Sequence, residues 1–235
     1  NYLSQGQTKT LVYTIRVSDG TVDVDKIVTI TILGTNDAPS ITVEAEDATS
    51  ATLSETNATL SASDTITINE VEPNDTVSAS VESVSVNASS TVPSLALPSN
   101  AVLKAMLGLN KSSLLTDNAL LKETLTWTFN SGSEYFDKIA SGEKLVLDYV
   151  IKVADSANPS KIDTKVITIT INGTNDAPVI DTYIATDANI NGEIESGKPL
   201  KLADTGSINF KDVDFSNRPT ATQAFKSITA LRRDG

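Results

Sequence analysis

Apolar residues alternate with polar ones over several stretches of this chain, and one of these stretches is residues 147–153. A second stretch, residues 167–171, repeats the alternation with isoleucines. A period of two puts the apolar side chains on one face of a β-strand, and two such strands around a turn make an antiparallel hairpin. The side chains predicted to face inward are Leu147, Tyr149, Ile151, Val153, Ile167, Ile169 and Ile171.

The same hairpin pattern occurs near the start of the chain. Residues 28–39 read VTITILGTNDAP and residues 167–178 read ITITINGTNDAP, a shift of 139 residues between Gly34 and Gly173. Upstream, residues 11–19 match residues 147–155 with a shift of 136. The two shifts differ by three residues, and this difference falls in the turn between the two strands. Turns and loops accept such insertions, whereas strand ladders do not. The chain therefore contains an internal repeat.

Further short runs have the composition of strands and are separated by Asn, Asp, Pro, Gly and Ser. Many short strands with turn signals between them predict an all-β fold, an antiparallel immunoglobulin-like sandwich. The runs are Leu53–Asn57, Thr65–Ile68, Val77–Val86, Leu125–Phe129 and Ser207–Phe210.

One segment departs from the strand pattern. Ser99 follows Pro98 and is a candidate N-cap for a short helix that ends near Gly108. Helical spacing predicts that one face of this helix is apolar and plugs an open end of the sandwich. The residues of that face are Val102, Leu103, Met106 and Leu107.

The repeat predicts three units if each copy ends at its GTNDAP. These are residues 1–37, the end of one domain; residues 38–176, a complete domain; and residues 177–235, the beginning of another. Each partial unit lacks strands that a closed core requires. We therefore expect head-to-tail self-association, in which the C-terminal unit of one molecule supplies early strands to the N-terminal unit of another.

The composition of the chain reduces the number of possible functions. Hydrophobic residues make up 39% of the chain, enough for a core, and 30 acidic against 18 basic residues give a net charge of −12. This charge disfavours nucleic acid and anionic lipid and favours a divalent cation. The chain has no cysteine and no histidine, so disulfides, thiolate sites and the commonest general base are excluded. No apolar run approaches the ~20 residues of a membrane span, and the sequence does not begin with a basic stretch followed by an apolar segment, which predicts a soluble internal fragment. The lack of histidine favours a non-enzymatic protein.

The string Gly-Thr-Asn-Asp-Ala-Pro after Thr-Ile-Thr-Ile, preceded by Tyr-x-Ile-x-Val-x-Asp, resembles the VCBS repeats of giant RTX-type bacterial surface adhesins. The resemblance covers the complete unit, including residues 97–107 and 127–145, and extends into both partial units. It implies tandem immunoglobulin-like or cadherin-like domains at the cell surface, exported by type I secretion, that extend a distal binding tip in biofilm formation or host attachment. Neighbouring repeats are then the partners of each unit.

The linker also resembles the Asp-x-Asn-Asp-x-x-Pro junction of cadherins, where calcium binds between successive domains. Calcium takes about 6–8 oxygen ligands, mostly carboxylates and carbonyls. At the first junction Pro39 stiffens the linker, and the complete unit presents acids at the end that faces it. The predicted ligands there are Asn36, Asp37, Glu70, Glu72 and Asp155, the last in the loop before the final strand. Glu70-Val-Glu72 stands where the family usually has Asp-x-Asp.

At the second junction Asn175 and Asp176 repeat the linker, and Asp212-Val-Asp214 supplies the Asp-x-Asp pair. Glu55, in the early strand Leu53–Asn57, resembles the glutamate that a cadherin-like domain contributes from its far end. Neither acid pair belongs to an EF-hand loop, because the glycine and the terminal glutamate of that loop are missing. Asn-Asp before Pro is also common turn chemistry, but two copies at matched positions favour calcium.

Two other functions remain open. Period-two threonines at residues 29–31 and 168–170 offer regular hydroxyls to a carbohydrate or protein, so a ligand-binding module is the main alternative. Glu134 and Glu143 are the candidate carboxylate pair of a glycoside hydrolase, but both lie in a turn-rich segment and are expected to be solvated loop acids. Trp127 lies on an alternating strand and is predicted to face the core rather than a sugar.

Overall fold

A computed structural model describes residues 3–73, 75–93, 97–116, 121–184 and 207–224. Within these ranges the chain is almost entirely β-structure, and no helix has the length and apolarity of a membrane span. The elements are β1 (Thr8–Ser18), β2 (Asp23–Leu33), β3 (Ser40–Thr42), β4 (Ser50–Ser54), β5 (Ser61–Asn69), β6 (Val77–Val86), α1 (Asn100–Ala105), β7 (Leu107–Leu109), β8 (Ser113–Leu114), β9 (Lys122–Asn130), β10 (Lys144–Asp155), β11 (Ile162–Asn172), β12 (Val179–Ile184) and β13 (Ser207–Lys211).

Strands β3 to β11 form a sandwich of two sheets. One sheet has the order β4-β11-β10-β6-β8 and the other β3-β5-β9-β7. Neighbouring strands are antiparallel except β4, which runs parallel to β11. The all-β sandwich predicted from the sequence is confirmed.

The core lies between the two sheets and follows the period-two pattern. All seven side chains predicted to face inward from β10 and β11 are fully buried. Trp127 is also 0% exposed, as predicted, and its indole Nε1 donates a hydrogen bond to Ala48 O at 2.9 Å. The rings of Phe129 and Tyr149 meet edge to face with centroids 6.3 Å apart, which is a favoured aromatic geometry.

The helix is shorter than predicted. It ends at Ala105, because Leu107 starts strand β7 and pairs with Phe129 of β9. Leu103 and Met106 are buried, but Val102 is 50% exposed, so the prediction that Val102 and Leu107 share the buried helical face was wrong. Ser99 is the N-cap residue, and no capping hydrogen bond from its side chain occurs within the described structure.

Tyr149 joins the helix to the sheet, and this contact makes a testable prediction. Its hydroxyl donates a hydrogen bond to the Leu103 carbonyl at 2.8 Å inside the core. The Tyr149→Phe substitution leaves that carbonyl without its donor, so we expect a loss of about 1–2 kcal/mol in the free energy of unfolding. Urea denaturation followed by Trp127 fluorescence measures it. Tyr13→Phe, at the equivalent but exposed position of the first repeat, is the matched control. Equal stability of Tyr149→Phe and the parent chain would contradict this role.

Two further pairs of antiparallel strands precede and follow the sandwich in the chain. Strands β1 and β2 form one two-stranded sheet, and β12 and β13 form another. The pairing of Tyr13 with Val28 in the first hairpin matches that of Tyr149 with Ile167 in the sandwich. The three-unit division stays a prediction, and residues 185–206 and 225–235 of the third unit lie outside the described residues.

Candidate metal sites at the two junctions

The first linker is fixed to the end of the sandwich by side-chain hydrogen bonds. The Asn36 amide Nδ2 donates to Asp155 Oδ2 at 3.0 Å and to the Asp37 carbonyl at 2.8 Å. The Asp37 backbone N–H donates to Glu72 Oε1 at 3.0 Å. Asn36, Glu72 and Asp155 are all buried. The structure thus brings together the linker and the acids that the sequence assigned to this junction.

Local backbone geometry orients these acids. Glu70 and Glu72 follow β5, and Glu70 Oε1 accepts a hydrogen bond from the Val71 N–H at 2.7 Å. Asp155 is the last residue of β10 rather than part of the loop, which corrects the sequence prediction. Its Oδ1 accepts from the N–H groups of Ala157 and Asn158, at 2.5 and 3.1 Å, so the turn after β10 holds this carboxylate in place.

Negative charge is concentrated at this junction. Burial, together with contact with the Glu72 carboxyl group, raises the pKa of Glu70 to about 7. Burial also raises the pKa of Asp75, and the negative charges of Asp155 and Glu72 add to that effect. Asp75 is a member of the cluster that the sequence analysis missed. Carboxylates placed this way are stabilised in their charged form by a cation.

The second linker repeats the hydrogen bonds of the first. The Asp176 N–H donates to Asp214 Oδ2 at 3.1 Å, as Asp37 does to Glu72, and Asn175 Nδ2 donates to the Asp176 carbonyl at 2.7 Å. Asp214 N–H donates to Asp212 Oδ1 at 3.0 Å. Two linkers of matching sequence therefore meet the following acid pair in the same way.

The sandwich contributes acids to the second junction from its other end. Glu55 is buried and directly follows β4, so the prediction that it lies within a strand was wrong. Its Oε2 accepts from the Thr174 hydroxyl at 2.5 Å. Asp137, which the sequence analysis did not single out, lies beside it. Burial raises the pKa of Asp137, with further effects from Asp176 and Glu134.

Direct contacts also join the sandwich to the segment after β13. The Phe215 N–H donates to the Lys138 carbonyl at 3.1 Å, and the Ser216 hydroxyl donates to Glu143 Oε1 at 2.5 Å. Asn217 Nδ2 donates to Asp214 Oδ2 at 2.7 Å. The first two bonds hold the segment after β13 against the end of the sandwich, and the third fixes the Asp214 carboxylate within that segment.

Buried oxygen atoms without a hydrogen bond are concentrated at these two junctions. Among the described residues, the buried side-chain N and O atoms that lack a partner all belong to the two clusters, except Ser4 Oγ. Such atoms are rare in proteins, and an ion is one of the explanations for them. The first cluster contributes Asn36 Oδ1, Glu70 Oε2, Glu72 Oε2 and Asp75 Oδ2; the second contributes Glu55 Oε1, Asp137 Oδ1, Asp176 Oδ2 and Asp214 Oδ1.

These oxygens are of the types that calcium binds, but they do not form a complete coordination shell. Among the described side chains, no group of three or more His, Cys, Asp or Glu residues is placed so that it could hold a metal ion as it stands. Calcium accepts amide, carbonyl and water oxygens beside carboxylates, and its geometry is flexible. The junctions therefore have the required donor types, buried and without partners, and small side-chain movements must complete any site.

Three of the residues named for the two alternative functions, Thr168, Glu134 and Glu143, accept or donate hydrogen bonds within the sandwich. The Thr168 hydroxyl donates to Asp148 Oδ1 at 2.8 Å, so it is tied to the sheet, whereas Thr29 and Thr31 are exposed. Glu134 accepts from the Phe136 N–H at 3.0 Å, and Glu143 accepts from the Ala140 N–H at 3.1 Å. Both carboxylates thus stabilise the turns that contain them.

Comparisons with known proteins give only distant similarities. No protein-family model matches the sequence, and no curated protein matches it either. Among solved structures, the ASH/PapD-like domain of human CEP192 (PapD-like domain 7) aligns with 59% of this chain and 86% of its own, at 11% identity and a TM-score of 0.33. The CooA pilin subunit from enterotoxigenic Escherichia coli aligns with 58% of this chain and 98% of its own, at 12% identity and a TM-score of 0.37.

Proposed function

We propose that this chain is a structural extender segment of a large bacterial surface adhesin, built from VCBS-type cadherin-like repeats whose linkers are stiffened by calcium. The main observation in support of this proposal is the position of the buried oxygen atoms that lack a hydrogen-bond partner. Among the described residues, these atoms are concentrated at two linkers of matching sequence. An extracellular location, type I secretion and a part in biofilm formation or host attachment follow from the resemblance to the repeats of such adhesins.

At the first junction, Asn36, Glu70, Glu72, Asp75 and Asp155 would hold the ion. Asn36 and Asp37 belong to the linker and the acids belong to the sandwich, so the linker is fixed relative to the domain that follows it. Calcium would supply the positive charge that offsets the repulsion among these carboxylates.

At the second junction the ligands come from three parts of the chain. Glu55 and Asp137 belong to the sandwich, Asp176 to the linker, and Asp212 and Asp214 to the third unit. A cation shared by all three parts would oppose bending of the linker. The hydrogen bonds of Phe215 and Ser216 to the sandwich already favour the same arrangement.

The Glu72→Gln substitution tests the first site. The amide oxygen of glutamine can still accept the Asp37 N–H, but one buried negative charge beside Glu70 is removed. In chelator we expect a melting temperature equal to or above that of the parent chain. In calcium we expect the stabilisation from this site, about 2.7 kcal/mol at a hundredfold excess over Kd, to be lost.

Glu82→Gln is the matched control for this experiment. Glu82 lies on the exposed side of β6, 3.5 Å from Lys152, so the substitution removes the same charge far from either linker. It should keep the full response to calcium. Differential scanning calorimetry in chelator and in calcium measures all three proteins. A calcium-induced rise of the same size in Glu72→Gln and the parent chain would refute the first site.

A further inference from the structure

The first unit and the sandwich contain the same hydrogen-bonded turn. In the sandwich, the Glu143 N–H donates to the Ala140 carbonyl at 2.9 Å, and Glu143 Oε2 accepts from the Ala140 N–H at 3.1 Å. In the first unit, the Gln7 N–H donates to the Ser4 carbonyl at 3.0 Å, and Gln7 Oε1 accepts from the Ser4 N–H at 3.1 Å. Gln7 and Glu143 therefore occupy equivalent positions. We call these segments, residues 4–7 and 140–143, the closing turns.

The acid-pair segments that follow the two linkers are equivalent as well. The Asp75 N–H donates to the Glu72 carbonyl at 3.3 Å, and the Asn217 N–H donates to the Asp214 carbonyl at 3.2 Å. The two bonds are related by a shift of 142 residues (217 − 75), which also superimposes the two acid pairs. The segments therefore correspond residue by residue.

At the second junction, direct hydrogen bonds join the region of the closing turn to the acid-pair segment. The Ser216 hydroxyl donates at 2.5 Å to Glu143 Oε1, the carboxylate oxygen that the turn itself does not use. The Phe215 N–H donates to the carbonyl of Lys138, two residues before the turn, at 3.1 Å. A hydrogen bond to a charged carboxylate is among the stronger ones in proteins. None of the four residues in these two bonds is a candidate calcium ligand, so neither bond needs an ion.

The residue types at the first junction exclude both of these bonds. Pro73 stands at the position of Phe215, and proline has no backbone N–H to donate. Gln7 stands at the position of Glu143, so an amide nitrogen, which donates and does not accept, replaces the oxygen that binds Ser216. Gln7 is exposed, whereas Glu143 is half-buried. Both differences are set by the side chains and backbone of described residues.

A cleft of about 450 Å³ lies between the first closing turn and the sandwich. Gln5 and Gly6 line one side, and Asn158 and Lys161 of the sandwich line the other. The hydrogen bonds from the first linker to the sandwich all end on carboxylates that are assigned to the ion. The orientation of the first junction thus depends on the groups that calcium would bind.

We propose that the residues at the positions of Glu143 and Phe215 determine how stiff a junction is when calcium is absent. The second junction keeps its orientation through their two hydrogen bonds, whereas the first, with Gln7 and Pro73 at these positions, bends until an ion binds. Bonds across a junction favour the fixed orientation before any ligand is present, which leaves less for the ion to change. The inference rests on the proposed function and adds that calcium acts mainly at the first linker.

Distances across each junction of the full chain test this proposal. The sequence has no cysteine, so two introduced cysteines can carry spin labels without background labelling. Thr14→Cys with Thr124→Cys spans the first junction, and Thr124→Cys with Ser207→Cys spans the second; all three positions are exposed. Double electron–electron resonance measures the distribution of each distance. In chelator we expect the first distribution to be about twice as wide as the second, and calcium should narrow the first to a similar width.

Two substitutions place the residue types of the first junction in the second. Glu143→Gln removes the acceptor of Ser216, and Phe215→Pro removes the N–H that binds Lys138. Glutamine and proline already occupy these positions at the first junction, so the local backbone accepts both. Each variant should widen the second distribution in chelator and leave the first unchanged.

Glu134→Gln is the matched control. It removes the same charge from the segment between β9 and β10, but Glu134 accepts only from the Phe136 N–H. Both distributions should keep the widths of the parent chain. An unchanged thermal transition of Trp127 fluorescence shows that the sandwich is intact in every variant.

The measurements in chelator decide this inference, and those in calcium decide the proposed function. Equal widths at the two junctions of the parent chain in chelator would overturn the inference. So would a second distribution that stays narrow in both Glu143→Gln and Phe215→Pro. A first distribution that remains wide in millimolar calcium would instead count against the ion at the first linker.

Discussion

Calcium is expected to raise the melting temperature of the chelator-treated chain by about 5–10 °C for each occupied site. An ion present at a hundredfold excess over its Kd stabilises the folded state by about 2.7 kcal/mol. A change of 1 kcal/mol moves the melting temperature of a domain of about 150–250 residues by about 2–4 °C. Relief of the repulsion among acids such as Glu72, Asp75 and Asp155 is part of this binding free energy.

Small-angle scattering of the same samples measures how rigid the linkers are. Calcium should narrow the distribution of particle dimensions and increase the longest one, because Asp176 and Asp214 then share a bound ion in addition to their 3.1 Å hydrogen bond. Magnesium at equal ionic strength is the control. It is smaller and holds its waters more tightly, so its effect should be weaker. Superimposable profiles in chelator and in calcium would contradict the stiffening.

The Gly173→Ala substitution is expected to destabilise the sandwich by about 3 kcal/mol, the upper end of what overpacking costs. A Cβ atom at Gly173 would lie 2.1 Å from the Ile139 carbonyl oxygen and 2.4 Å from that of Ala140. Both are backbone atoms that a rotamer change cannot move. The melting temperature of the Trp127 transition should fall by about 6–12 °C.

Gly34→Ala is the matched control, because the repeat places the same contact in the first unit. A Cβ atom there would lie 2.3 Å from the Ser4 carbonyl oxygen. The clash is equally severe, but it affects the β1–β2 hairpin and not the sandwich. The Trp127 transition should stay where it is in the parent chain. A similar shift in both variants would show that the two units unfold together, and no shift in Gly173→Ala would contradict the close approach of the turn.

The sequence predicted the sandwich well because its signals are local and repeated. The alternation in β10 and β11 identified the buried face, and strand β6 was predicted with its observed bounds, Val77–Val86. The helix was predicted less well, since the choice between helix and strand at Leu107 depends on its pairing with β9, which no local pattern records.

Local sequence patterns also identified only part of the two candidate sites. The linker pairs and the acid pairs were found because they recur at matched spacing. Asp75 was missed, although the 142-residue shift that aligns the acid pairs also aligns Asp75 with Asn217, and both lie in the junctions. Asp137 had no such signal. It lies in the turn segment between β9 and β10, and only the folding of the sandwich brings it near Asp176.

Anomalous diffraction from crystals grown in calcium tests the central claim most directly. One peak is expected among the oxygens of Asn36, Glu70, Glu72, Asp75 and Asp155, and another among those of Glu55, Asp137, Asp176, Asp212 and Asp214. Maps without a peak at either linker, from crystals grown in millimolar calcium, would show that these buried carboxylates serve another purpose.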